Sequence, residues 1–143
     1  MALPRTILVP IDFSDCSEAA LDHAVDLAAK LDARVHVVHV VYVPSFGGVD
    51  ISALMIDSAF ASSRKALEHL VVVRSGRCAF GPVRVETGDA REFIGAVAED
   101  LHADLIVMGT HGRRGLKRFV LGSVAESVAR HAPCPVMLVP ARS

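Results

Sequence analysis

The chain has 143 residues, enough for one domain and too few for an eight-stranded α/β barrel, which takes about 250. Hydrophobic residues make up 52% and aromatics 5%; the apolar part is mostly Ala, Val, Leu and Ile, which excludes a disordered chain and suits parallel strands buried under Ala-rich helices. With a net charge of −1 the chain lacks the basic footprint of a nucleic-acid binder, and no apolar run approaches the roughly 20 residues of a membrane helix.

The residues up to Asp12 show no signal-peptide pattern, because Arg5 is followed by only a few apolar residues. Thr6–Pro10 predicts a first strand, and Ser14 to Leu31 a helix. In that helix Leu21, Ala24, Val25 and Ala28 recur at i, i+3, i+4 and i+7 and make one apolar face, while Asp15 and Glu18 stand in capping-box-like spacing at its start. Arg34–Val41 is a β-branched second strand; the longest nearly apolar run, Val35–Val43, still carries His36 and His39. Tyr42–Asp50, with Pro44, Gly47 and Gly48, predicts a loop, followed by a second helix from Ser52 to about Val72. Arg74–Pro82 reads as a turn-rich connection and Val83–Thr87 as a short third strand. The third helix follows Gly88, with Asp89 and Glu92 in capping-box spacing and Ile94, Val97, Ala98 and Leu101 on its core face. Leu105–Met108 predicts a fourth strand, then come a long Gly- and Arg-rich loop, a helix over Ser123–His131 and a fifth strand at Val136–Val139. No repeat, low-complexity tract or linker interrupts the pattern, so residues 1–143 read as a single domain.

Strands separated by helices argue for βαβ crossovers. The expected fold is therefore α/β: a single Rossmann-like, doubly wound, five-stranded parallel sheet of order 3-2-1-4-5 with about four helices. In that order the winding reverses between strands 1 and 4, and ligands bind in the crevice outside the C-terminal ends at such a reversal. Strand 1 ends in Pro10-Ile11-Asp12 and strand 4 in Met108-Gly109, so both loops open into one crevice.

The loop after strand 4 reads Gly109-Thr-His-Gly112, then nine residues, then Gly122-Ser123. Glycines let backbone amides approach an anion, and Gly122-Ser123 opens a helix whose N-terminus carries orphan donors and partial positive charge. Arg113, Arg114, Lys117 and Arg118 add cations to the same loop. The same residues also fit a plainer reading, in which the glycines form tight turns, Ser123 and Glu126 a capping box and the basic residues a solvated face. Neither the P-loop pattern GxxxxGK[ST] nor the GxGxxG fingerprint is present.

With these positions the sequence resembles the universal stress protein family in its ATP-binding branch, whose motif G-2x-G-9x-G-[S/T] is matched without change of spacing by Gly109, Gly112, Gly122 and Ser123. The opening Ile7–Ser14, His39-Val40 at the end of strand 2 and Pro133–Val136 before the last strand are similar too, so the likeness covers essentially the whole chain. The resemblance implies that Pro10 and Ile11 line an adenine pocket, that Asp12 sits near the ribose and the metal–phosphate side, and that Val40 offers backbone contacts to the adenine edge. It also implies that Met108 packs near the base, that Gly109 and Gly112 admit ribose and phosphates, and that Gly122, Ser123 and the Val124 amide hold phosphate. ATP with Mg²⁺ between its phosphates is the implied ligand.

No second carboxylate or base stands out for attack on the γ-phosphate, so the expected protein is a nucleotide-dependent stress-response or signalling regulator with at most slow hydrolysis or self-phosphorylation. Asp12 also suits a cap at the start of the first helix, and His111 a solvent-facing loop position. His36 and His39 point to opposite strand faces and form no metal pair. Cys16, Cys78 and Cys134 are odd in number with no CxxC pair, which argues against a disulfide framework or zinc site and for a reducing cytosol. The apolar strand Val136–Val139 falls at a sheet edge, and the resemblance implies a homodimer through it; a proline at Met137 is expected to remove a ladder donor there. An unidentified protein partner is expected, with no nucleic acid or membrane. The alternative is a nucleotide-free dimeric interaction or chaperone-like module, against which the intact glycine motif speaks.

Overall fold

The computed structural model describes residues 3–43, 53–111 and 121–140. Along these the elements are β1 Thr6–Pro10, α1 Asp15–Leu31, β2 Arg34–Val41, α2 Ala53–Val72, β3 Ala79–Phe80, β4 Arg84–Thr87, α3 Ala90–Asp100, β5 Leu105–Gly109, α4 Ser123–His131 and β6 Val136–Val139. All strand pairs are parallel, in the order β3-β2-β1-β5-β6, with β4 also beside β2. This is the expected doubly wound order with one correction: the third strand is two pieces. β3 runs beside Arg34 and Val35, β4 beside Val38–Val41, and Gly81-Pro82 lies between them. Pro82 has no N–H to give a ladder, and β3 is too short to carry a periodic signal, so the sequence shows only a turn there.

The helices divide between the two faces. Ala20, Leu21, Ala24, Val25 and Ala28 of α1 and Leu67 and Leu70 of α2 pack with Ile7, Val9, Val35, Val37 and Val107 in one core. Ile94, Val97 and Ala98 of α3 and Ala125 and Val128 of α4 pack with Leu8, Val38, Ile106 and Met108 in the other. Ile7, Leu8 and Val9 are all fully buried, because the central strand is covered on both faces; each such side chain contributes about 1.5–3 kcal/mol. Arg74 and Arg77, just after α2, pair with Asp22 and Asp26 of α1 and tie that helix pair together at the surface. Among the described residues no helix is long and apolar enough to cross a membrane.

The helix starts differ from the spacing-based expectations. Ser14, not the Asp15/Glu18 pair, caps α1 by accepting from the Ser17 N–H at 3.1 Å. Asp89 caps α3 through the Arg91 N–H at 2.9 Å, without a reciprocal bond from Glu92. Gly122 occupies the cap position of α4, so Ser123 is the first helical residue rather than a cap. At α1 and α4 a residue one position away had the better backbone geometry for the role, whereas at α3 the expected Asp89 is the cap. The Ser52 start of the second helix lies outside the described residues, as does most of the predicted loop before it.

β6 forms an edge of the sheet, with all four residues half-buried. Its backbone direction alternates: the Pro135 and Val139 carbonyls accept from Ile106 and Thr110 on the β5 side. Met137 therefore also faces β5, and the outward donors are Val136 and Leu138. A proline at Met137 would thus strike the sheet's own ladder, not the open edge.

Candidate functional site

β1 and β5 are adjacent and parallel, yet the chain leaves β1 for α1 on one face and β5 for α4 on the other. The reversal opens a crevice at their C-terminal ends. Its β1 wall is the segment Ile11–Ser14. The Ile11 N–H continues the ladder to the Val38 carbonyl at 2.8 Å, and the Ile11 carbonyl accepts from His39 Nδ1 at 2.6 Å. A carbonyl only accepts, so Nδ1 carries the proton. Phe13 then turns the chain with φ 65° and lays its ring against His39, centroids 4.8 Å apart. One carboxylate oxygen of Asp12 accepts from both the Ser14 N–H and the Ser14 hydroxyl. The Ser17 hydroxyl bonds back to the Ser14 carbonyl at 3.0 Å. Asp12 thus holds the α1 cap in place, and no bond occupies its second oxygen among the described residues.

The β5 wall is built by close packing. A Cβ on Gly109 would stand 2.6 Å from Cys16 Sγ and 3.0 Å from the Cys16 carbonyl carbon, so the first turn of α1 seats directly on this glycine. Cys16 is a free, buried thiol that donates to the Val139 carbonyl at 3.5 Å and lies 3.9 Å from the Thr110 hydroxyl. The Thr110 N–H bonds the same Val139 carbonyl at 3.1 Å, and the Thr110 carbonyl accepts from the Gly122 N–H at 2.8 Å. That last bond closes the glycine-rich loop at its base and fixes the start of α4 beside the end of β5. Among the described residues no side chain caps α4, whose first turn carries the Ser123 and Val124 amides. The Thr110 hydroxyl also meets His111 Nδ1 at 2.9 Å.

The residues expected to form a site fall into four groups. Pro10, Asp12, Gly109, Gly122, Ser123 and Val124 stand at the ends of β1 and β5 and at the start of α4, around the crevice. Ile11 and Met108 are 3% and 5% exposed and belong to opposite cores, where they brace the crevice walls. Val40 lies one residue before the end of β2, half-buried. Gly112 and the basic residues Arg113, Arg114, Lys117 and Arg118 lie outside the described residues. Sequence reasoning passed over His39, Phe13, Thr110 and Ser17 as members of this framework. The His39-Val40 pair at a strand end was the available signal: it pointed to the Val40 backbone, while the His39 ring was considered only against His36 as a metal pair. Among the described residues no group of three His, Cys, Asp or Glu side chains is placed to hold a metal ion.

Residues 4–140 match the family described as the universal stress protein family. A universal stress protein of Methanocaldococcus jannaschii is 38% identical over 141 residues, covering 96% of this chain and 82% of that one. The solved universal stress protein of Lactobacillus plantarum superposes with a TM-score of 0.85 at 26% identity, covering 97% of this chain and 99% of the other. A universal stress protein solved in complex with cAMP is similar in fold, with a TM-score of 0.70 at 23% identity over 99% of this chain and 100% of its own.

Proposed function

The chain belongs to the universal stress protein family, and from that premise we propose that it is a nucleotide-dependent regulator that binds ATP in the crevice between β1 and β5. The observation that carries this reading is the start of α4. A buried glycine holds the cap position, no side chain among the described residues caps the helix, and the Thr110–Gly122 bond pins that turn to the strand end. Free amides at a helix N-terminus, aided by the helix dipole, stabilise phosphate. Gly112 completes the spacing of the family's ATP-binding motif, and Asp12 retains an oxygen for a ribose hydroxyl or a cation. Val40 supplies backbone to the adenine edge, with Pro10 and Ile11 beneath it.

A cation fits this site only as Mg²⁺ carried on the phosphates. Asp12 is the single carboxylate at the β1 end, and Mg²⁺ ordinarily keeps one or two carboxylates plus phosphates and waters. Slow turnover at most is part of this reading, since the sequence offers no evident base for attack on the γ-phosphate. The open edge of β6 supports a homodimer of antiparallel edges. The effect of ATP is then exerted on a partner through the surface around the loop.

The direct test is to purify the protein gently, denature it and identify the released nucleotide, with calorimetry of ATP and Mg²⁺ on emptied protein. About one ATP per chain supports the reading; an empty protein with no heat of binding overturns it in favour of a nucleotide-free dimeric module. Gly122→Val sharpens the test. Gly122 has φ −62° and ψ 156°, open to any residue, so the change acts on space rather than backbone strain. Loss of one or two charge-assisted hydrogen bonds should weaken ATP binding at least about tenfold with the fold intact.

A further inference from the structure

We propose that His39 is a positioning residue of the nucleotide crevice: its side chain takes over a hydrogen bond of the β1–β2 ladder and thereby releases the Val40 backbone to read the base. The inference deepens the proposed function and rests on it.

The register shows how. Backbone direction alternates along a strand. On one side of β2 the Val35 and Val41 carbonyls accept from Gly81 and Gly88, next to β3 and β4. On the other side the Val38 carbonyl accepts from Ile11, next to β1. Val40 shares the parity of Val38, so its N–H and carbonyl face the β1 side. A parallel ladder continued by one step would bond the Val40 N–H to the Ile11 carbonyl. That carbonyl instead takes its bond from His39 Nδ1 at 2.6 Å, and no bond to it from Val40 is found among the described residues.

One imidazole thus ends the sheet early. The Ile11 carbonyl is satisfied, so β1 has no unpaired buried acceptor at its exit. The Val40 N–H and carbonyl are left side by side at the crevice, a donor and an acceptor in fixed spacing. Adenine presents an acceptor and a donor, N1 and the 6-amino group, along one edge, and this pair complements it. Hypoxanthine presents a donor and an acceptor in the opposite order. Phe13, packed against His39 with the rings tilted by 50° and centroids 4.8 Å apart, holds the imidazole with Nδ1 aimed at Ile11. Without the Nδ1 donor the Ile11 carbonyl recruits the Val40 N–H, and the ladder closes over the base site.

The test compares His39→Asn, whose amide nitrogen falls near the Nδ1 position, with His39→Gln, whose amide reaches past it. Both lose the ring packing, so their difference isolates the donor. In wild type, ATP should bind more tightly than inosine triphosphate, which differs only on that edge. His39→Gln should lose about fivefold to tenfold in ATP affinity with little change for inosine triphosphate, and His39→Asn should stay within about twofold of wild type. Equal losses for both nucleotides, or equal losses in both variants, overturn the proposal. Hydrogen exchange of the Val40 amide in nucleotide-free protein tests the structural step by itself. Fast exchange in wild type and protection in His39→Gln support it, and a protected Val40 amide in wild type overturns it even if neither variant folds. A wild type that binds no nucleotide defeats the functional reading and with it the base-reading role, while the exchange result still decides whether His39 ends the ladder.

Discussion

Gly109 shows how one residue can satisfy two demands. In the sequence it is the first glycine of a ligand motif; in the structure its missing side chain is where Cys16 and the first turn of α1 rest. The position is therefore constrained before any nucleotide arrives. Gly109→Ala should destabilise the fold by about 1–3 kcal/mol, because the added methyl meets backbone as well as the thiol, and overpacking against backbone is not relieved by a rotamer change. Urea denaturation of wild type, Gly109→Ala and the double variant with Cys16→Ala checks this. Removing the sulfur should restore only part of the loss, since the Cys16 carbonyl carbon remains 3.0 Å from the new methyl. Gly122→Val makes the contrast at the other end of the glycine-rich loop, where loss of ligand affinity is the expected readout. Of the two readings that the sequence left side by side for Asp12, one of its oxygens serves the α1 cap, and the other has no bond among the described residues.

At the scale of elements, the two edges of the sheet are built differently. The β3–β4 edge is broken by Gly81-Pro82, and the His36 ring fills the break; a Cβ on Gly81 would stand 2.1 Å from that ring. Among the described residues the buried His36 Nδ1 has no hydrogen-bond partner. Burial, with Arg34 and then Arg84 nearby, pushes its pKa below the ordinary 6.5. The folded state then binds fewer protons than the unfolded chain below pH 6.5, so this contribution to stability is complete above that pH and is lost as pH falls towards the lowered value. Urea midpoints measured at pH 7.5 and 5.5 should fall for wild type, and the fall should be smaller in His36→Phe, which keeps a ring against Gly81 and cannot be protonated. An equal fall in both proteins would show that other groups govern the acid limb. The broken edge also discourages pairing with another chain, whereas β6 carries no such device.

For the whole molecule, the asymmetry of edges makes β6 the edge the proposed dimer would use. Leu138→Pro removes an outward N–H and should shift a dimer towards monomer in light scattering, whereas Met137→Pro cuts the ladder to β5 and should cost fold stability first. A dimer unchanged by Leu138→Pro would rule out the open edge as the interface. Only the register separates these two adjacent positions. Much of the molecule was legible beforehand for a physical reason: β-branched runs, the i, i+3, i+4 face of α1 and the Gly–Pro punctuation are local patterns, and solvent exclusion acts on them locally. They determined the bounds of β1, β2, α4 and β6, the order of the sheet and the point at which its winding reverses. What the tertiary structure alone decided depends on partners distant along the chain. The split of the third strand needed His36 against Gly81; the role of Gly109 needed Cys16; the release of Val40 needed His39 to reach Ile11. Each is a contact across elements, made where a side chain replaces a backbone bond or fills a missing one, and no local periodicity encodes it.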